Sequence, residues 1–389
     1  MIEVRGMYTN ATIMSYMPDD EIEKRSMSHV MAQLESICNY KIFSNSIIKV
    51  MPDVHPAKIG PVGLTMTIKD AVMPNLIGVD IGCGISMIKL GKIKKDFQKL
   101  DTVIRERIPV GFNNRSQPLN EALKFDISAL KCKDNISNSL PFQALGTLGG
   151  GNHFIEVDVD EENQYYLIIH SGSRSVGVHV TEYYLEKGNQ ILHSNDINFP
   201  NNTPYEMTYL TGELMKDYLH DLEVVQKYAD FNRYLMIEQI CTGMKWKWDN
   251  EWWDGENPIT TCMHNYIDKN NVLRKGAISA HEGEDIIIPI NMRDGTILGK
   301  GKGNEKWNYS APHGSGRIYS RKEVANYHTV NEFKKQMKDV YSICIGPDTL
   351  DEAPFAYRNI DYIKESIQDT VDITKILKPV YNYKAGGNK

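Results

Sequence analysis

Asp80 and Cys83 stand three residues apart in the run Gly78-Val79-Asp80-Ile81-Gly82-Cys83-Gly84. A carboxylate is a hard ligand and a thiolate a soft one, and together they suit a transition ion better than Mg²⁺ or Ca²⁺. The glycines let the loop close tightly, because glycine accepts positive φ. Taken alone, such a run is more often a turn with one buried free cysteine. Further clusters downstream weigh against that. They are Met51-Pro-Asp-Val-His55, Gly149-Gly-Gly-Asn-His153, His170-Ser-Gly-Ser-Arg174, His264-Asn265 and His313-Gly-Ser-Gly-Arg317. Of only 11 histidines, five fall in these glycine- or asparagine-flanked positions. Three His, one Asp and one Cys are too many for one tetrahedral ion and suit two ions sharing the thiolate. Two adjacent ions can clamp the attacking and leaving oxygens of a phosphoryl transfer.

The last cluster has a different chemistry. Neutral imidazole is a good nucleophile toward phosphorus, and a neighbouring arginine can neutralise charge on the phosphoryl oxygens. His313 and Arg317 lie in a stretch, 293–322, that carries seven basic residues and two acidic ones. Such a run is usually a solvated face, but its glycines favour a phosphate-facing loop. Known nucleotide fingerprints do not fit. Gly146-Thr-Leu-Gly-Gly-Gly-Asn152 leads into a strand pattern rather than a helix, and Gly299-Lys-Gly-Lys-Gly303 is followed by Asn304 instead of Lys-Ser or Lys-Thr.

These residues need elements to hold them. Helical spacing of Val30, Leu34 and Ile37, with Asp19 or Asp20 as cap, predicts a helix over 19–39. Residues 46–90 alternate short apolar runs with Pro and Gly, as strands and functional loops do. The run from Gly146 to Asp158 reads as a glycine turn entering a strand, and Tyr165–Ile169 as a second strand ending at His170. Residues 206–243 read as a helix with Leu222, Val225, Ala229, Met236 and Ile240 on one stripe. Ile286–Ile290 reads as a strand, and 351–378 as a helix after Asp-Glu-Ala-Pro. There is no regular βαβ rhythm, so the fold class is α+β. The suggestive residues extend from Asp53 to Lys384, so one interwoven domain over 1–389 is expected.

Composition narrows the function. With 44 basic and 50 acidic residues the net charge is −6, which excludes a surface that grips nucleic acid everywhere and leaves room for a local basic groove. Six cysteines are scattered singly without a Cys-x-x-Cys pair, which fits a reducing cytosol. The N-terminal residues lack the apolar core of a signal peptide, and no apolar run reaches membrane-spanning length. A cytoplasmic protein without membrane contact is expected.

Nearly the whole chain resembles the RtcB-type RNA ligases. The matching runs are MPDVH at 51–55, GVDIGCG at 78–84, LGGGNHFIEV at 148–157 and HSGSRSVG at 170–177. HNY at 264–266, RKGA at 274–277, KGKGN at 300–304, APHGSGR at 311–317 and DEAP at 351–354 continue the match. The resemblance implies mixed sheets around a central binuclear Mn²⁺ site, flanked by helices. Cys83 would bridge the ions, with Asp80 and His153 completing one sphere and His170 and His264 the other. His313 would be the nucleophile that takes GMP from GTP. Asn152 and Phe154 would line the nucleotide site, Glu156 would read the guanine edge, and Lys384 would contact the nucleotide. Arg174 and Arg317 would contact phosphate.

The implied reaction joins an RNA 3′-phosphate or 2′,3′-cyclic phosphate to a 5′-hydroxyl RNA end through a guanylylated histidine and an RNA-(3′)pp(5′)G end, in RNA repair or tRNA splicing. The partners are those RNA ends, with room for an activating protein. The rivals are an enzyme that guanylylates 3′-phosphates without sealing, a binuclear metal phosphoesterase and an RNA-binding pseudoenzyme. The chain departs from the family pattern at Pro289-Ile290-Asn291-Met292-Arg293-Asp294, where Asn291 replaces a nucleotide-contacting serine and Thr296 keeps a hydroxyl further on. His-Gly-Ser-Gly-Arg replaces the usual His-Gly-Ala-Gly-Arg. One tension concerns spacing: His153 and Glu156 lie three apart, so a regular strand would point them to opposite faces. A twist, a bulge or a site wrapped around the strand is then required.

Overall fold

Seven strands build the central sheet in the order Thr260–Met263, Gly84–Gly91, Tyr165–Ser171, Phe154–Val159, Val371–Lys384, Gly295–Gly301 and Asp285–Asn291. All neighbouring pairs in it are antiparallel. This computed structural model describes residues 1–137, 139–195, 204–248 and 259–386. The Tyr165–Ser171 strand shows why the sheet is central. Its residues Tyr-Tyr-Leu-Ile-Ile-His-Ser are buried throughout, a near-continuous apolar run of the kind covered on both faces. Leu167 and Ile169 enter one core cluster, whereas Tyr166 and Ile168 enter a second on the opposite face.

A six-stranded sheet runs Ile2–Arg5, Asn10–Ile13, Ile48–His55, Val62–Thr67, Val272–Lys275 and Asn265–Ile267. Asn10–Ile13 and Ile48–His55 pair in parallel, so this sheet is mixed. A short pair, Ala277–Ser279 with Ser310–Pro312, delivers the chain to His313. The α+β class is as the sequence predicts. No helix among the described residues is long and apolar enough to cross a membrane.

The first helix is Glu21–Cys38, capped by Asp20, whose side chain accepts from the Ile22 and Glu23 amides. The long helix is Gly212–Met244, and Leu222, Val225, Ala229, Met236 and Ile240 are all buried along it. It packs on Phe97–Arg107, on Arg174–Asn195 and on the Tyr165–Ser171 strand. It starts later than the spacing suggests. Leu210–Thr211 pairs with Ala71–Val72, and Gly212 turns the chain at φ +56.

Two further expectations are corrected. The 351–378 segment is not one helix. Only Ile360–Ser366 is α-helical, and Val371–Lys384 is a 14-residue strand. Val371, Ile373, Thr374 and Ile376 favour extended backbone, and the strand has partners on both sides, Gly295–Gly301 and Phe154–Val159. Nor is the whole basic run 293–322 a phosphate-facing loop. Gly295–Gly301 is a strand, Lys300 pairs with Asp285 at 2.7 Å, and Lys302 Nζ donates to the Gln368 carbonyl at 2.8 Å.

Candidate functional site

Strand ends of the central sheet place the five proposed metal ligands. Asp80 and Cys83 lie in the loop before Gly84–Gly91, His153 immediately before Phe154–Val159, His170 within Tyr165–Ser171, and His264 between Thr260–Met263 and Asn265–Ile267. His153 therefore precedes its strand, while Phe154 and Glu156 share one face inside it. That removes the spacing tension, because the turn aims the imidazole independently of the pleat.

The long helix fixes these loops from behind. Asn232 and Arg233 are both fully buried. Asn232 Oδ1 accepts from the Gly146 and Thr147 amides at 2.8 and 3.1 Å, and its Nδ2 donates to the Thr147 and Gly172 carbonyls and to Ser171 Oγ. Arg233 donates to the carbonyls of Gly82 and Ser171 at 2.8 and 2.7 Å, to Ser86 Oγ at 2.8 Å and to Asp230 at 3.0 Å. Gly82 sits at φ +70, and a Cβ there would lie 2.8 Å from Ala229 Cβ. A Cβ on Gly172 would fall 2.0 Å from Asp80 Oδ1.

The donor atoms converge. Cys83 Sγ is 3.4 Å from His153 Nε2 and 3.3 Å from His170 Nε2. His153 Nε2 is 3.0 Å from Asp80 Oδ2, and His170 Nε2 is 3.0 Å from His264 Nε2. Ligands about 2.0–2.3 Å from a common tetrahedral ion lie roughly 3.5 Å from one another, so these separations fit metal binding. The thiol stands between an Asp80–His153 side and a His170–His264 side. The Leu148 carbonyl lies 2.8 Å from His153 Nδ1 and the Asn152 carbonyl 3.2 Å from His170 Nδ1. Each carbonyl takes an Nδ1–H and turns the Nε2 lone pair inward, as in established metal sites. Burial pushes the Cys83 thiol well up and the His170 and His264 imidazoles well down. Burial also opposes the charge on Asp80, but His153 and Arg174 hold its carboxyl far below the usual range.

His313 borders this cluster. Its ring centroid is 4.6 Å from that of His264. Asp53 Oδ2, fully buried, lies 2.7 Å from His313 Nδ1. A carboxylate there takes the Nδ1–H and leaves the Nε2 lone pair for attack. Ser315 Oγ donates to the Ile290 carbonyl at 2.7 Å and pins the glycine loop that follows.

A pocket opens beside His170, His264 and His313. Its walls include Asn152, Phe154, Glu156, Asn291, Arg317 and Lys384. Glu156 is 2% exposed and accepts from Asn382 Nδ2. Lys384 Nζ lies 2.7 Å from Glu352 Oε2, 3.4 Å from the Asn152 carbonyl and 5.3 Å from the Phe154 ring centroid. Glu352 also meets Arg317, at 3.3 Å, and Arg321. Burial works against the Glu352 carboxylate, yet Lys384, Arg321 and Arg317 hold it down at about 2. Asn291 reaches the wall, but its amide is engaged in the turn. Its Oδ1 accepts from the Arg293 and Asp294 amides, and its Nδ2 donates to Asp294 Oδ2 at 2.8 Å.

Two of the expected site residues do not line this pocket. Thr296 does not line this pocket; it is fully buried beside Asp158. Arg174 is also off the pocket, on the Asp80 side of the cluster, where its guanidinium donates to Thr147 Oγ1 and the Gly111 carbonyl.

The sequence profile of the family described as tRNA-splicing ligase RtcB matches residues 33–385. The chain belongs to the RtcB family. The Escherichia coli K12 RNA-splicing ligase RtcB is 29% identical over 370 residues, covering 86% of this chain and 88% of that protein. The tRNA-splicing ligases RtcB of Aeropyrum pernix and Nanoarchaeum equitans are 23% and 25% identical, covering 90% and 95% of this chain. Within this RtcB-family site, no sequence signal assigns a role to Asn232, Arg233, Glu352 or Arg321, and Asp53 stands out only as part of a cluster. Asp53 lies in the Met51-Pro-Asp-Val-His55 run and Glu352 in the Asp-Glu-Ala-Pro run.

Proposed function

We propose that this chain seals RNA ends with GTP and Mn²⁺, joining a 3′-phosphate or 2′,3′-cyclic phosphate to a 5′-hydroxyl. That it is an RNA ligase, acting on RNA, follows from its family; the end types, the nucleotide, the metal and its count are our reading. The observation that carries it is His313. One imidazole adjoins both a Cys/His cluster and a pocket walled by Asn152, Phe154, Glu156, Arg317 and Lys384, and a buried carboxylate holds its Nδ1.

In this reading one catalytic unit spans the chain. Asp80, Cys83, His153, His170 and His264 would hold the Mn²⁺, Cys83 lying between the Asp80–His153 and His170–His264 sides. When bound, the ions supply charge neutralisation at the α-phosphate. His313 Nε2 attacks that phosphorus, pyrophosphate leaves, and Asp53 stabilises the charge that develops on the ring. Water first opens a 2′,3′-cyclic phosphate to a 3′-phosphate; a 3′-phosphate oxygen then displaces His313 from the GMP phosphorus, the 5′-hydroxyl attacks the RNA 3′-phosphorus, and GMP leaves as the 3′–5′ bond forms. Glu156 accepts from guanine N1–H and N2–H₂. Lys384 and Arg317 share their charge between Glu352 and the nucleotide phosphates. Asn152 and Phe154 complete the wall. The joining of a 3′-phosphate RNA to a 5′-hydroxyl RNA in the presence of GTP and Mn²⁺ tests this. Guanylylated 3′ ends that never join would assign the capping reaction instead, and release of free phosphate alone would assign a phosphoesterase.

A further inference from the structure

Asp53 reaches His313 from a stretch of strand that has left its ladder. The pairing of Ile48–His55 with Val62–Thr67 is interrupted between Val50 and His55. Side chains hold three successive carbonyls there instead. The Pro52 carbonyl accepts from the Tyr362 hydroxyl at 3.2 Å, the Asp53 carbonyl lies 3.0 Å from His55 Nδ1, and the Val54 carbonyl accepts from Arg358 Nη1 at 3.2 Å. Ser15 Oγ, 3.1 Å from the Tyr362 hydroxyl, can donate to it and leave its hydrogen for Pro52. Asp53 Oδ1 is buried with no hydrogen-bond partner among the described residues. Beyond His313, then, the carboxylate has nothing of its own to hold it, and the backbone sets where it points.

One segment supplies both outer grips. Arg358 and Tyr362 flank the start of the Ile360–Ser366 helix, whose cap Asn359 accepts from the Tyr362 amide at 2.8 Å. Arg358 is buried, and its Nε donates to Glu23 of the first helix at 2.8 Å. Its backbone amide donates to the Gly316 carbonyl at 3.1 Å, three residues past His313. Gly316 sits at φ +71, and a Cβ there would collide with the Asp53 carbonyl oxygen and with Arg358 Nη1. The Asp53 strand and the His313 loop are thus fastened to the same segment.

We propose that Arg358 and Tyr362 are positioning residues that set the Asp53 carboxylate against His313 Nδ1. Neither lines the nucleotide pocket, so they act on the attack and not on GTP binding. The proposal rests on the reading of His313 as the nucleophile.

Single-turnover labelling of His313 by α-labelled GTP, over a range of GTP concentrations with the Mn²⁺-loaded protein, separates the maximal rate from the half-saturating GTP. Arg358→Met should lower the maximal rate by roughly 10²-fold, the effect of a small misplacement of a reacting group. Tyr362→Phe should lower it by roughly two- to tenfold, as for one lost hydrogen bond. Half-saturating GTP should stay as in the wild type for both. In an Asp53→Ala background, which has no carboxylate to position, each should cost less than about twofold more. If Arg358→Met does not fold, Tyr362→Phe carries the same comparison. Equal losses with and without Asp53, unchanged rates, or a change confined to half-saturating GTP would overturn the proposal. No label on His313 in the wild type would defeat the nucleophile reading; a labelled wild type with equal losses in both backgrounds would defeat the positioning alone.

Discussion

Asp53 and His313, 260 residues apart in sequence, meet at 2.7 Å between Oδ2 and Nδ1. The contact links the strand Ile48–His55 to the loop after Ser310–Pro312. It fixes the imidazole tautomer and, in the proposed reaction, would supply a counter-charge for the ring during attack. Asp53→Asn should keep the fold and the metals but slow His313 guanylylation by roughly 10²–10⁴, the size of effect seen when a buried aspartate behind a catalytic histidine is replaced. Single-turnover labelling measures this. An unchanged rate would reduce Asp53 to a packing residue.

Cys83 lies against both His153 and His170, so in the proposed two-ion site its loss should be felt twice. Cys83→Ala is expected to bind neither ion tightly, whereas His153→Ala and His264→Ala should each retain one. Metal analysis after dialysis separates these outcomes, and two ions retained in Cys83→Ala would make the thiol structural. A thiolate and three imidazoles also disfavour Mg²⁺, so metal-stripped protein should recover activity with Mn²⁺ and not with Mg²⁺.

Arg233 holds the Gly82 and Ser171 carbonyls without contacting any proposed ligand. Arg233→Met should lower stability by about 3–5 kcal/mol, because it strands buried acceptors and Asp230. Metal affinity should fall with it as the loop loosens. Thermal melts with and without Mn²⁺ report both effects. An unchanged melting temperature would contradict this role.

Much of this site was legible because its chemistry is local in sequence. Glycine turns beside Asp80, His153 and His313 advertise themselves, and apolar periodicity found the strands that carry His170 and Glu156. Partners distant in sequence were not legible. Nothing near Asp53 says that it will face His313, and Arg233 lies in a helix whose apolar stripe drew the reading. The 351–378 segment misled because Asp-Glu-Ala-Pro resembles a helix start, whereas the following β-branched residues owe their extended form to two sheet partners. Thr296 lies off the pocket because the sequence does not say which face of its strand the hydroxyl takes.

Glu352 gives a pH prediction. Its carboxyl is held at about 2, below its unfolded value near 4.5. A depressed acid stabilises the fold above the unfolded value and loses that contribution as pH falls through the folded one. Stability should therefore drop between about pH 4.5 and 2. Glu352→Gln should be less stable than the wild type at pH 7, with the gap closing over that interval. A gap independent of pH in denaturant titrations would remove Glu352 from the account.

The central claim is that His313 carries GMP. Protein incubated with α-labelled GTP and Mn²⁺ should acquire label that is acid-labile, base-stable and mapped to His313. His313→Ala should take none, yet still seal a pre-made RNA-(3′)pp(5′)G end to a 5′-hydroxyl RNA. Label that persists in His313→Ala, or RNA joining by that variant from GTP and a bare 3′-phosphate, would contradict it.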